Sequence, residues 1–139
     1  MYYTHPCALA WSENLIDWTP TGEAVWPGGG REAGAIALLR DDGILVMTQG
    51  GPSPLGGWVL WQALIDPSDL SPQPVNRTCV LKEQKEPFLW PEHEWEIKGM
   101  TGYTTVANAL VPFKGKWFLY YGAADTVTGV ATCAEKPRG

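Results

Sequence analysis

The segment ANALVPFKGKWFLYYG, residues 107–122, decides the fold class, because it has the pattern of a β-hairpin. Two apolar runs flank the dipeptide Lys114-Gly115, and a two-residue turn between such runs is typical of paired antiparallel strands. The segment AIALLRDDGILVMTQG, residues 35–50, has the same pattern, with Asp42-Gly43 as the predicted turn. The two segments align at an offset of 72 residues without a gap. Both are apolar nearly throughout, which predicts strands buried on both faces of their sheets.

A second pattern, an apolar strand followed by a polar turn, also recurs along the chain. Residues 8–15 align with residues 63–70 at an offset of 55, and each copy ends in Asn-Leu or Asp-Leu. Residues 129–133 look like the opening of a third copy. The order is therefore strand end, hairpin, strand end, hairpin, strand end. This order predicts consecutive four-stranded blades of an all-β propeller.

The predicted organisation is one partial propeller domain over residues 1–139. Residues 1–30 are expected to form the end of a blade and a connection, residues 31–75 a blade, residues 76–105 a loop and outer strand, and residues 106–139 another blade. At ~40–50 residues per blade, this gives about two and a half to three blades, whereas closed propellers have at least four. Because open sheet ends need cover, we expect a homodimer or association with a missing N-terminal half.

Composition excludes several classes of function. The formal net charge is −5 and the basic residues are dispersed, which argues against a nucleic-acid binder or a basic membrane-surface module. The three cysteines include no Cys-x-x-Cys pair, so buried free thiols in a reducing, cytoplasmic compartment are expected rather than a disulfide framework or a zinc site. The eight tryptophans suit sugar binding, since indole rings stack on apolar C–H faces, although we expect most of them in the core.

The segment YYGAADTVTGVAT, residues 120–132, resembles a signature of glycoside hydrolase family 130. Weaker support comes from residues 10–18, AWSENLIDW, which look like a turn shared with other sugar-cleaving propellers. The family comprises mannoside phosphorylases and related hydrolases built on five-bladed propellers. The resemblance covers nearly the whole chain and corresponds to the C-terminal half of a family member.

The resemblance implies an inverting reaction, in which phosphate or water attacks the anomeric carbon of a β-mannoside while a carboxylic acid protonates the leaving oxygen. A phosphorylase needs cationic donors to hold the phosphate dianion. No residue of this chain matches the family's motif for the general acid, so no catalytic residue is assigned. No cofactor or metal is expected, with inorganic phosphate as the conceivable co-substrate.

Three substrate-binding residues follow from the resemblance. Asp125 resembles the carboxylate that binds hydroxyls of the glycone, its alternative role being a turn cap at a strand end. Arg31 falls near the place of a phosphate-binding lysine, its alternative role being that of an exposed loop residue. Gln49 stands where the family usually presents a histidine to phosphate. Because glutamine carries no charge, this departure favours a hydrolase-like or inactive member.

Two functions therefore remain open. The first is the C-terminal half of a glycosidase or glycoside phosphorylase acting on β-mannosides and inactive by itself. The second is a non-catalytic carbohydrate-binding or scaffold half-propeller. The run Glu92-His93-Glu94 is interpreted as a solvated loop rather than a metal site, because adjacent side chains of an extended chain point in opposite directions.

Overall fold

The computed structural model describes residues 1–3, 8–24, 31–51, 56–66, 80–83 and 86–134. These residues form three antiparallel sheets and a single helical turn, so the predicted all-β class is confirmed. The first sheet has the order β1-β2-β3 and consists of Tyr2–Tyr3, Ala8–Trp11 and Thr19–Ala24.

The second sheet has four strands in chain order, as a complete propeller blade has. Its strands are β4 (Glu32–Arg40), β5 (Gly43–Gly50), β6 (Val59–Ile65) and β7 (Val80–Glu83). The helical turn α1 (Glu94–Ile97) follows. The third sheet consists of β8 (Thr105–Phe113), β9 (Lys116–Ala123) and β10 (Val127–Ala134).

Both predicted hairpins form, but the first turn lies one residue earlier than expected. In the second hairpin, Phe113 pairs with Lys116, so the loop is Lys114-Gly115, with φ of 49° and 70° at these two residues. In the first, Arg40 pairs with Gly43, so the loop is Asp41-Asp42. The structural offset between the turns is therefore one residue more than the offset that aligns the glycines. The Arg40 guanidinium binds the Asp42 carboxylate at 2.8 Å across this loop, and Gly43 opens β5 with φ of 141°.

The main core lies between the second and third sheets. Alternate residues of each strand point to the same side, and those that face the neighbouring sheet form this core. It contains buried side chains from both sheets, namely Ile36, Met47, Leu60, Ala107, Leu119, Tyr121 and Ala123. Leu60 is fully buried at its centre. This packing fixes the second hairpin against the first one, as adjacent blades require.

The prediction of strands buried on both faces holds for β5 and is wrong for β4 and for the third sheet. In β5, burial covers consecutive residues from Val46 to Gly50, whereas Leu39 of β4 is exposed. In the third sheet, Phe113, Tyr120 and Val130 are exposed within the described part of the chain. Cys133 of β10 is an exposed free thiol on the other face of this sheet, so the expectation of a buried thiol is wrong there. An apolar sequence alone does not distinguish a covered face from an open one.

Several expectations fall on residues outside the described ranges. These are Cys7, Cys79, the Gly28-Gly29-Gly30 connection and the second copy of the polar turn at residues 67–70. Among the described residues, no helix has the length and apolar character needed to cross a membrane.

Candidate functional site

The ends of several strands meet along one edge of the second and third sheets, which we name the site edge. Gly50 at the end of β5 pairs with Val59 at the start of β6. The neighbouring Trp58 carbonyl accepts the Thr105 amide of β8 at 2.8 Å. Thr104 in turn accepts the Ala124 amide at 2.8 Å, which brings in the β9–β10 turn. Backbone hydrogen bonds therefore join the two sheets at this edge.

Gln49 lies at the site edge with a fixed amide orientation. It is 7 % exposed, and its Nε2 donates to the Glu32 carboxylate at 3.3 Å. Since an ionised carboxylate only accepts, the amide nitrogen must face Glu32, and Oε1 points the other way. The buried Oε1 has no hydrogen-bond donor among the described residues. A buried acceptor of this kind needs water or a ligand that carries a hydroxyl group.

Thr48 and Arg31 lie on the opposite face of the second sheet. Thr48 pairs with Trp61, whereas Gln49 pairs with Leu60, so the two neighbours point to different sides. The Arg31 guanidinium stacks on the Trp61 ring at 4.0 Å from the centroid. The Trp61 indole donates to the Gly50 carbonyl at 3.2 Å. Thr48 Oγ1 is fully buried and has no partner in the described part of the chain.

Asp125 lies in the β9–β10 turn and is exposed. Ala124 and Asp125 have φ of 49° and 51°, the left-handed conformation that aspartate and asparagine tolerate better than most residues. The preceding loop holds this turn, because the Thr101 amide donates to the Ala124 carbonyl at 3.1 Å and the Met100 amide to Thr126 Oγ1 at 3.2 Å. The Asp125 carboxylate is thereby presented to solvent on a braced turn.

Gly99 makes this brace sterically possible. A Cβ atom there would meet the Ala124 carbonyl oxygen, and it would lie 2.6 Å from the Ala124 Cβ and from Thr126 Oγ1. Contacts this short force the backbone apart. The loop can therefore approach the Asp125 turn this closely because residue 99 is glycine.

The structure brings the three predicted site residues to one edge but not into one cluster. Gln49 and Arg31 flank the start of β4 on opposite faces, and Asp125 belongs to the neighbouring sheet. Sequence reasoning missed Glu32, Thr48 and Trp61. Strand alternation next to Gln49 and Arg31 could have indicated the first two, whereas the Trp61 stack depends on strand register.

A buried acidic group outside the site edge links α1 to the third sheet. Glu96 is 2 % exposed and accepts the Tyr121 hydroxyl at 2.6 Å. Its other oxygen accepts the backbone amides of Glu92 and His93 at 2.8 and 2.7 Å. Burial raises the pKa of Glu96, but the Tyr121 hydroxyl and the two amides outweigh burial and hold that pKa below its usual value. Burial, together with the Glu96 carboxylate, raises the pKa of Tyr121.

The residues around α1 do not form a metal centre. Glu92, His93 and Glu94 are exposed, and the Glu92 carboxylate accepts the Trp90 indole N–H at 3.1 Å. Within the described ranges, no group of three or more His, Cys, Asp or Glu side chains is placed to hold a metal ion.

Comparison with known proteins places these features in a family context. The family model for glycoside hydrolase family 130, described as beta-1,4-mannooligosaccharide phosphorylase, matches residues 56–137. A beta-1,2-mannobiose phosphorylase from Thermoanaerobacter sp. (strain X514) is 34 % identical over 99 residues, which are 71 % of this chain and 30 % of that protein. The residues that the family model matches include the Asp125 turn and its brace.

Solved structures of other proteins superpose on nearly the whole of this chain. A candidate glycoside hydrolase from Parabacteroides distasonis superposes with a TM-score of 0.82 at 28 % identity, over 98 % of this chain and 44 % of that one. A structure from the GH130 family of mannoside phosphorylases, reported to contain hydrolases that target beta-1,2 mannosidic linkages in Candida mannan, superposes with a TM-score of 0.78 at 25 % identity, over 96 % and 41 %. The chain thus spans less than half the length of these relatives. The predicted partial β-propeller is confirmed.

Proposed function

Because the chain belongs to glycoside hydrolase family 130, we propose that its site edge is part of a carbohydrate site for β-mannosides in a glycosidase or glycoside phosphorylase. The observation that carries this proposal is the buried Oε1 of Gln49, near the end of β5, which has no donor among the described residues. Asp125 supplies a second acceptor at the same edge. Together they suit the hydroxyl groups of a sugar, since each hydroxyl donates one hydrogen bond.

The charges around Gln49 favour a neutral ligand or water over phosphate at that position. Glu32 lies within hydrogen-bond distance of Gln49, and its carboxylate would repel a phosphate dianion. Gln49 Oε1 is also an acceptor, whereas phosphate needs donors. Arg31 is the cation at this edge, and it lies on the other face of the sheet over Trp61. We therefore propose attack by water rather than by phosphate in the assembled enzyme.

The chain is proposed to bind sugar without turning it over by itself. The inverting reaction of the family needs an acid on the leaving oxygen, and no residue of this sequence matches the family motif for that acid. In this proposal, the chain contributes glycone contacts, and the acid comes from another part of the assembled propeller.

Asp125→Asn is expected to weaken the binding of β-mannobiose about 10-fold to 100-fold, because hydrogen bonds to a charged acceptor are worth about 1.5–3 kcal/mol. Asparagine tolerates the left-handed φ of this position, so the turn persists. Calorimetric titration of the 139-residue chain with β-1,2- and β-1,4-mannobiose measures the effect. The matched control is Asp41→Asn, an exposed aspartate in the turn at the opposite edge. Equal affinities for the parent chain and Asp125→Asn would refute the role of Asp125.

Association is proposed to cover the open face of the third sheet. Phe113, Tyr120 and Val130 are exposed there, and apolar strand faces of this kind promote assembly. The cover is a second copy of the chain or an N-terminal half of the propeller. Light scattering on the isolated chain is expected to give twice the mass of one chain. A monodisperse monomer across micromolar concentrations would exclude the homodimer.

A further inference from the structure

An open groove of about 340 Å³ lies between the segment of residues 88–96 and the third sheet, away from the site edge. One wall is the segment of residues 88–90, which is held to β6 because the Leu60 amide donates to the Leu89 carbonyl and the Phe88 amide donates to the Leu60 carbonyl, both at 3.0 Å. The other wall is formed by Tyr121, Val130 and Ala131 of the third sheet. Its volume is at the lower end of the range for small-molecule sites.

The groove presents an aromatic ring beside a carboxylate. Trp90 is 42 % exposed, and its indole N–H donates to Glu92 Oε1 at 3.1 Å. This hydrogen bond fixes the ring and uses its only polar group, so the exposed ring surface is available for stacking. The second oxygen of Glu92 remains an acceptor for a ligand donor.

The wall that carries these groups is rigid. The amides of Glu92 and His93 are held by Glu96, which is itself fixed by the Tyr121 hydroxyl. His93 stacks on Trp95 with ring centroids 5.4 Å apart, and Trp95 stacks on Tyr121 at 6.2 Å. A wall ordered before binding loses little conformational entropy when a ligand arrives.

The chemistry of the lining selects the class of ligand. Among the described residues, the groove is lined by the carboxylates of Glu92 and Glu96, by His93, and by no lysine or arginine, so two carboxylates disfavour an anion such as phosphate. An aromatic face next to a carboxylate suits a molecule with apolar C–H faces and hydroxyl donors. We infer that this groove is a second binding site for a neutral carbohydrate, in which Trp90 stacks on a sugar ring and Glu92 accepts a sugar hydroxyl.

The second site is distinct from the site edge. Val130 and Ala131 lie three and four residues into β10 beyond Val127, which is about 10–13 Å along the strand at ~3.3 Å per residue. The Asp125 turn precedes Val127 at the start of β10, so this distance along the strand separates the turn from Val130 and Ala131. The sugar class of the ligand rests on the proposed function, whereas the groove and its lining do not.

The test follows the indole N–H resonance of Trp90 and the backbone amide of Asp125 while ¹⁵N-labelled chain is titrated with β-1,2- and β-1,4-mannobiose. We expect the Trp90 resonance to move in the parent chain and equally in Asp125→Asn. Trp90→Ala is expected to weaken binding at the groove at least 10-fold, followed through the Val130 amide. The matched control is Trp18→Ala, another partly exposed tryptophan, which lies outside the groove.

The two resonances separate failure of this inference from failure of the proposed function. Movement at Asp125 with a silent Trp90 at millimolar sugar overturns the second site and leaves the proposed function standing. Movement at Trp90 with a silent Asp125 supports the groove and counts against the site edge. If neither resonance moves, both proposals are wrong. Unchanged groove binding in Trp90→Ala also overturns the second site.

Discussion

Leu60→Ala is expected to lower the free energy of unfolding by about 2–5 kcal/mol, the range for truncating a buried leucine. Leu60 is fully buried and belongs to the core between the second and third sheets. Its backbone pairs with Gln49 on one side and with Leu89 on the other, so the cavity cannot close by a simple shift of one strand. Urea unfolding followed by circular dichroism measures the loss.

The matched control for Leu60 is Leu39→Ala on the first hairpin. Leu39 is 74 % exposed, so its truncation is expected to change the free energy of unfolding by about 0.5 kcal/mol or less. A loss below 1 kcal/mol for Leu60→Ala, comparable with the control, would show that the two sheets do not share this core. The blade-to-blade packing described above would then be incorrect.

Glu96→Ala is expected to cost about 3 kcal/mol of unfolding free energy, because it leaves the Tyr121 hydroxyl and two backbone amides without their acceptor. Glu94→Ala is the matched control on the same helical turn. The Glu94 carboxylate is exposed and binds Lys98 at 2.7 Å, an i,i+4 pair worth about 0.3–0.5 kcal/mol. Equal losses for the two variants would contradict the role assigned to the buried carboxylate.

The Glu96–Tyr121 pair makes the unfolding free energy of the parent chain depend on pH at both ends of the pH range, with opposite signs. The folded-state pKa of Glu96 is lowered, so its contribution is present above about pH 4.3, the unfolded value, and is lost as the pH falls through the folded one. The folded-state pKa of Tyr121 is raised, so its contribution is present below about pH 10 and is lost as the pH rises through its folded value. Glu96→Ala is expected to remove its part of the acid slope and to reduce the alkaline slope, because burial still raises the pKa of Tyr121. Glu94→Ala is expected to keep both slopes.

The hairpins were predictable from sequence because their signals are local. Apolar runs around Lys114-Gly115 define strands and a turn within sixteen residues, and the structure has that turn at the same place. The first turn was predicted one residue too late because the sequence comparison matched the glycines of the two hairpins, whereas the structure matches the ends of their strands. Gly43 is placed by its proximity to β6, where a Cβ would lie 2.7 Å from the Ile65 carbonyl oxygen. That contact involves a strand more than twenty residues away.

The candidate site was predictable only in part, because it also depends on contacts between residues that are distant in the sequence. The motif around Asp125 identified the turn, but the brace that holds it comes from the close approach of Gly99 and from the backbone hydrogen bond of Thr101 to Ala124. The Glu96–Tyr121 hydrogen bond joins residues 25 positions apart, and no spacing rule connects them. The opposite orientation of Gln49 and Arg31 follows from strand alternation once the register is known. Long-range register, rather than local pattern, decides which side chains can share a ligand.

The central claim is that the site edge binds a β-mannoside, and mapping the amide shifts caused by β-1,2-mannobiose over the whole ¹⁵N-labelled chain tests it most directly. The expected result is a cluster of shifted amides at Gln49, Gly50, Thr105, Asp125 and Thr126, which lie along that edge in both sheets. The Asp41-Asp42 loop, at the opposite edge, is expected to stay unchanged. The contradicting result is a folded chain whose site-edge amides do not move at millimolar sugar.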